Sequence, residues 1–139
     1  MSGKNTGSLE DRLLIRELFG LYSDTGCTGD ADAWLALFAE DCEWNSHLFQ
    51  CTGKAELRQQ WEQLWAAFDK LGFLSEIGWI AVDGDTARAS SQAREVIRMK
   101  DGSLFKLIGH YDDHLVRENG QWLFSRRTYS PLVVEEPGA

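Results

Sequence analysis

Leu14, Leu18, Tyr22 and Thr25 recur at spacings of four and three, which on a helix stacks them along one face. Ser8, with Asp11 three residues on, gives that helix a capping-box-like start, and Gly26 and Gly29 are expected to stop it. Asp30 is a good N-cap for a second helix over "ADAWLALF", ending before "AEDC". Residues 42–50, "CEWNSHLFQ", alternate as a strand with Trp44, Ser46 and Leu48 on one face. A longer helix is predicted from about Lys54 to Leu71, because Leu57, Trp61, Leu64, Phe68 and Leu71 again fall at spacings of four and three.

The second half of the chain has a different rhythm. "VDGDT", "KDGS" and "ENGQ" each set Asp-Gly or Asn-Gly between β-like runs, a strong short-range hairpin signal. Three in succession predict a four-stranded antiparallel meander from about Phe73 to Val134. The central runs, 86–99 and 103–117, would each span roughly 45 Å at about 3.3 Å per residue. Strands of that length curve, and a curved sheet closed by helices makes a cone with an internal pocket. The fold class expected is therefore α+β.

Length and composition narrow this picture. The chain has 139 residues, enough for one cored domain and too few for two. We place that domain at 8–134, with loose tails at 1–7 and 135–139. Hydrophobic residues make up 43%, which excludes a disordered chain. A formal charge of −8 argues against nucleic acid and against anionic membranes as partners. No apolar run approaches the roughly 20 residues of a membrane span, and "MSGKNTGSLE" lacks a signal-like apolar stretch. The compartment expected is the cytoplasm. Cys27, Cys42 and Cys51 are odd in number and have no CxxC spacing, so reduced thiols are expected rather than a disulfide frame or a zinc site.

The helical entry "LFGLYSDTGCTGDADAWLALFAEDCEW", the turn "IAVDGDTARAS" and the segment "GHYDDHLVRENGQWLFSRR" together resemble the nuclear transport factor 2-like superfold. The resemblance covers nearly the whole chain and is closest to the SnoaL-like and scytalone dehydratase-like branch. It implies three helices closing a curved, mainly antiparallel sheet around a pocket. Function follows less directly, because this superfold hosts isomerases, dehydratases, cyclases, hydrolases and binding domains. Dehydratase-like members of the branch use an Asp–His pair at the cavity. Counted onto this chain, the Asp position is Cys27 and the His position is Phe73. Both members of the pair are thus expected to be replaced, and the Asp–His mechanism does not carry over.

Strand parity supplies other candidates. In 86–99 the face bearing Ala87, Ala89, Ala93 and Ile97 also carries Ser91 and Glu95, while Arg88, Gln92, Arg94 and Arg98 share the other. In 103–117, Phe105, Leu107, Tyr111 and Leu115 share a face with Asp113. Inward carboxyl groups of Glu95 and Asp113 near Tyr111 and Tyr22 would be desolvated toward a neutral pKa, which suits a general acid or base. A tyrosine there would donate to a developing enolate oxygen. The structural alternatives are an ion pair of Asp113 with Arg126 or Arg127, a Glu95 neutralised by Arg127 or turned outward by a bulge, and tyrosines that only pack. Cys27 is a nucleophile or a small packed thiol. Trp61, Trp65 and Trp79 read as core or interface.

"HYDDH" lies in a predicted strand, where residues four apart stand about 13 Å from each other, too far for one ion to bridge His110 and His114. His110 with Asp112, or Asp112 with His114, could still chelate from one face, but that face is expected to be the outer one and the histidines to be surface or subunit-contact residues, so no metal and no cofactor is expected. The reading that results is a cofactor-independent proton-transfer enzyme, a dehydratase, isomerase or cyclase, acting on a small hydrophobic or polycyclic molecule. Its expected catalytic groups are Glu95, Asp113 and Tyr22, and its expected substrate contacts are Trp44, Phe73, Ser91, Tyr111 and Cys27. The alternative is a binding or accessory domain that keeps the cavity without the pair. The outer sheet face, with Ile108, His110, His114 and Val116 among arginines, is expected to form a homodimer.

Overall fold

The computed structural model describes residues 4–138. Along the chain come α1 (Leu9–Thr28), α2 (Ala31–Leu35), β1 (Phe38–Asn45), β2 (Gln50–Thr52), α3 (Gly53–Ala67), β3 (Phe68–Asp83), β4 (Thr86–Met99), β5 (Leu104–Glu118) and β6 (Gln121–Glu135). The strands form one sheet in the order β2-β1-β6-β5-β4-β3. Its β3–β6 part is the expected antiparallel meander; α1 packs on β3 and β6, α3 packs mainly on β1 and β2, and α2 lies between those two helices. The Asn119-Gly120 turn shows why the hairpin signal works. Both residues have positive φ, 52° and 76°, as the tight turn matching strand twist requires.

Two features lay outside the pattern. β1 pairs parallel with β6, a long-range contact that no local periodicity records. Bulges then bend the long strands, between Ile77 and Trp79 in β3 and between Ile108 and Gly109 and between His114 and Leu115 along the β5–β6 ladder. A bulge adds local twist and bend, so the sheet curls into a cone.

The helix limits differ in physically readable ways. Ser8 Oγ accepts from the Asp11 amide at 3.0 Å, as the cap pattern predicts. Gly26 does not stop α1; it is buried within the helix, which ends at Gly29 in the left-handed conformation. Asp30 caps α2 through the Ala33 amide at 3.1 Å, but α2 is only five residues long. The chain is drawn into β1 from Phe38, so the strand expected at 42–50 starts earlier and is broken: residues 42–45 end β1, 46–49 form a turn, and Gln50 opens β2. There the Ser46 amide donates to the Phe49 carbonyl at 2.9 Å. α3 ends at Ala67, not Leu71, because Phe68 pairs with Met99 and the Lys100 amide donates to the Ala67 carbonyl at 2.9 Å. Phe68 and Leu71 still face inward, from a strand.

The expected N-terminal tail is partly tied down. The Thr6 amide donates to the Ile80 carbonyl and the Thr6 carbonyl accepts from Val82, both at 3.0 Å. Residues 1–3 and 139 of the two predicted tails lie outside the described residues. Strand parity is as expected: Ala87, Ala89, Ser91 and Ala93 are buried while Arg88, Gln92, Arg94 and Arg98 are exposed. Among the described residues no helix is long and apolar enough to cross a membrane.

Candidate active site

A cavity of about 270 Å³ opens between the concave sheet and the helices. α1 contributes Tyr22 and Gly26, and α2 contributes Trp34. α3 covers it with Trp61, Leu64 and Trp65, which its three-and-four spacing lines up on one side. The β1–β2 turn forms part of the rim with Ser46, His47, Leu48 and Phe49. β3 supplies Phe68, Leu71 and Phe73; β4 supplies Glu95, Ile97 and Met99; β5 and β6 supply Phe105, Leu107, Tyr111 and Tyr129.

The aromatic side chains hold one another in place. Trp34 stacks on Trp61 with centroids 4.2 Å apart, and meets Trp44 edge-on at 4.9 Å. Tyr22 lies 5.4 Å from Phe73, and Tyr111 lies 5.0 Å from Tyr129. Such offset and tilted pairs are the favoured aromatic geometries. Tyr129 can lie close to β5 only because position 109 is glycine: a Cβ there would meet its ring at 2.2 Å.

Glu95 is the one acidic side chain among the described lining residues. Its cross-strand neighbours are Phe73 and Leu107, so its carboxyl group is surrounded by apolar walls. It keeps some accessible surface because the cavity opens onto it, yet it is packed closely enough to be desolvated. Burial pushes its pKa up to about 7, and the charge of Arg127 works in the opposite direction. The phenols stay protonated beside it. Burial raises Tyr22 and Tyr111, and it pushes Tyr129 up to about 12. The cavity therefore holds the carboxyl group of Glu95, the imidazole of His47 at its rim, and the hydroxyl groups of Tyr22, Tyr111, Tyr129 and Ser46.

Asp113 departs from the expected role. It does not line the cavity. Arg127 Nε donates to its Oδ1 at 2.7 Å and Nη2 to its Oδ2 at 3.0 Å, with both residues fully buried. The structural alternative for Asp113 is the one realised, and Glu95 keeps its carboxyl group without a direct ion pair. Burial opposes the Arg127 cation, but Asp113, Tyr22 and Tyr111 together outweigh it and hold its pKa above the ordinary value. The guanidinium lies 3.8 Å from the Tyr111 ring centroid and 4.3 Å from that of Tyr22.

Ser91 is buried opposite Tyr111 and also lies off the cavity wall. Cys27 is exposed and does not contribute to the wall either. Its Sγ donates to the Phe73 carbonyl oxygen at 3.7 Å. The two positions assigned to the Asp–His pair are thus side by side at the C-terminal end of α1, and neither carries an acid or an imidazole. Phe73, Trp44, Tyr22 and Tyr111 line the cavity. His110 and His114 sit on the other sheet face, opposite Gln92 and Arg88. Among the described residues no three metal-ligating side chains come together.

Sequence reasoning missed His47, Trp34 and Tyr129, and it assigned Trp61 and Trp65 to core or interface. The α3 stripe was visible, but a stripe facing a core and one facing a cavity look alike. His47 carries no such signal, because the local alternation predicts strand where the chain turns.

Comparison with known proteins agrees with this geometry. A crystal structure of a provisionally assigned scytalone dehydratase from Novosphingobium aromaticivorans DSM 12444 is 25% identical; the match covers 94% of this chain and 90% of that one, with a TM-score of 0.86. A provisionally assigned aromatic ring hydroxylase from the same organism is also 25% identical, over 94% and 96% of the two chains, with a TM-score of 0.90. The hexachlorocyclohexane dehydrochlorinase LinA type 2 shares the fold at 14% identity, 94% and 90% coverage and a TM-score of 0.83. No curated protein matches the chain. The model of the SnoaL-like domain matches residues 7–128, and the chain belongs to that family, on the nuclear transport factor 2-like cone fold.

Proposed function

We propose that this protein is a proton-transfer enzyme that needs no cofactor and acts on a small, uncharged, largely apolar molecule held in the cone. Glu95 is its general acid–base group, and Tyr22 and Tyr111 donate to the substrate oxygen where negative charge develops. The observation that carries this reading is a single carboxyl group with a pKa of about 7 inside an aromatic-walled cavity. A general base works best when its pKa lies near the working pH, because it is then both available and basic enough. With Cys27 and Phe73 at the positions of the Asp–His pair, Glu95 is the one carboxyl group among the described lining residues.

Glu95 in its ionised form would remove a proton from a carbon next to an oxo group. The electrons would move onto the substrate oxygen, where the phenols would stabilise them. The protonated Glu95 would then return the proton to the leaving hydroxyl group in a dehydration, or to another carbon in an isomerisation. Two similar structures carry the names of elimination enzymes, a dehydratase and a dehydrochlorinase, which suits that order of events. The cavity has no lysine or arginine among its described lining residues, so carboxylate and phosphate substrates are disfavoured. Its 270 Å³ lies just below the usual range for ligand sites and suits about two fused rings.

The test is Glu95→Gln, assayed on substrates found by screening hydroxylated and oxo-substituted bicyclic compounds. Turnover is expected to fall on the order of 10² to 10⁴-fold with affinity and fold retained. Undiminished turnover by the folded variant would refute the assignment.

A second reading, a non-catalytic ligand-binding domain, is favoured by the absence of both members of the Asp–His pair. It predicts tight binding of the same compounds with no turnover by the wild-type protein at any pH.

A further inference from the structure

Folding alone does not explain why a full ion pair lies beneath this cavity. Arg127 and Asp113 are both completely buried. Taking two charges out of water is costly, and well-packed apolar residues of similar size often serve stability as well or better. The pair is also not fully satisfied, since Arg127 Nη1 has no hydrogen-bond partner among the described protein groups. Its position is informative. The guanidinium is stacked between Tyr111 and Tyr22, with Phe124 and Phe19 completing the cage at 4.4 and 5.1 Å. Tyr22 and Tyr111 are the two rings whose other edges line the cavity with Glu95.

We propose that the Arg127–Asp113 pair is the electrostatic floor of the cavity. Arg127 acts as a positioning residue that favours negative charge above it, on Glu95 and on a ligand oxygen held by Tyr22 and Tyr111. Asp113 fixes the guanidinium and limits how strongly its charge is felt. A cation behind the phenols strengthens them as donors without touching the ligand, and low-dielectric surroundings leave its field poorly screened. The value of this role rests on the reading of Glu95 as the acid–base group, but its test does not depend on turnover.

The other titratable groups around the cavity are known. Tyr22 comes from α1, Tyr111 from β5, Tyr129 from β6 and His47 from the β1–β2 turn, while α3 and β3 present only apolar and indole side chains. Arg127 is the cation packed against the two phenols that share the cavity wall with Glu95, and its charge favours the ionised carboxylate. Removing charge from the floor should therefore move Glu95 in a direction set by which charge is removed.

The experiment follows the side-chain carboxyl resonance of Glu95 by ¹³C NMR through a pH titration of the full chain, with Glu95→Gln identifying the signal. In the double variant Arg127→Leu/Asp113→Leu the midpoint is expected to rise above that of the wild type. In Asp113→Asn, which leaves the cation less compensated, it is expected to fall. A purely structural pair predicts the wild-type midpoint in both folded variants, and that result would overturn the proposal. Should the double variant not fold, Asp113→Asn decides alone: a lowered midpoint supports the floor, and an unchanged one overturns it. Loss of the acid–base reading itself would show separately, as turnover by Glu95→Gln.

Discussion

Glu95 stands between Phe73 and Leu107, and the energetic sign of that placement is testable. Its pKa is raised from 4.5 to about 7 in the folded protein by burial. Between those values the folded state binds a proton that the unfolded state has lost. The contribution of Glu95 to stability is therefore fully present below about pH 4.5 and is lost as pH rises through about 7. Glu95→Gln, neutral at every pH, is expected to melt near the wild-type temperature at pH 5 and above it at pH 8. Thermal unfolding of both proteins at the two pH values checks this; a variant less stable than wild type at pH 8 would show that the carboxylate has a stabilising partner. This residue was legible because the alternation of "ARASSQAREVI" fixes which side faces inward. Parity served Asp113 less well. It gives the side of the sheet but not the depth, and the arginine that claims Asp113 is fourteen positions away on the next strand.

At the scale of elements, α3 is at once a core helix and the roof of the site. Trp61 is buried against Trp34, so Trp61→Ala is expected to cost about 3 to 5 kcal/mol in urea unfolding, the usual range for a large aromatic truncation. Ligand affinity should weaken as well, because the indole also lines the cavity. A loss below about 1 kcal/mol would mean that α3 is not held through this side chain. Gly109 offers a second probe. The bulge in the β5–β6 ladder and the close approach of Tyr129 leave no room for a methyl group there. Gly109→Ala is expected to lower stability by about 1 to 3 kcal/mol and to displace Tyr129, which near-ultraviolet circular dichroism would report. The meander could be read from its turns. The bulges and the parallel β1–β6 pairing could not, since both arise from contacts between distant parts of the chain.

The whole molecule presents a sheet face with no helix on it. Leu74, Arg94, Ile108 and Val133 follow one another across β3, β4, β5 and β6. Leu74 is 72% exposed, Val133 62% and Ile108 44%. We propose that this row, with His110 and His114 further along, is the centre of a homodimer contact. Sedimentation at tens of micromolar, well above ordinary dimer dissociation constants, is expected to show a dimer, and Ile108→Asp/Val133→Asp is expected to give the 15.7 kDa monomer. A wild-type protein that sediments only as a monomer would contradict the contact.

The cone and its contents meet in one measurement. In deuterated water, the α-protons of a small bicyclic ketone such as 2-tetralone exchange slowly by themselves, and NMR reports the rate directly. With saturating wild-type protein, exchange is expected to accelerate and to rise with pH through about 7, as Glu95 ionises. With Glu95→Gln the acceleration should vanish while the ketone still quenches the cavity tryptophans, showing that it binds. Equal exchange in both proteins, or binding by the wild type with no acceleration at all, would contradict Glu95 as the proton-transfer group of this cavity.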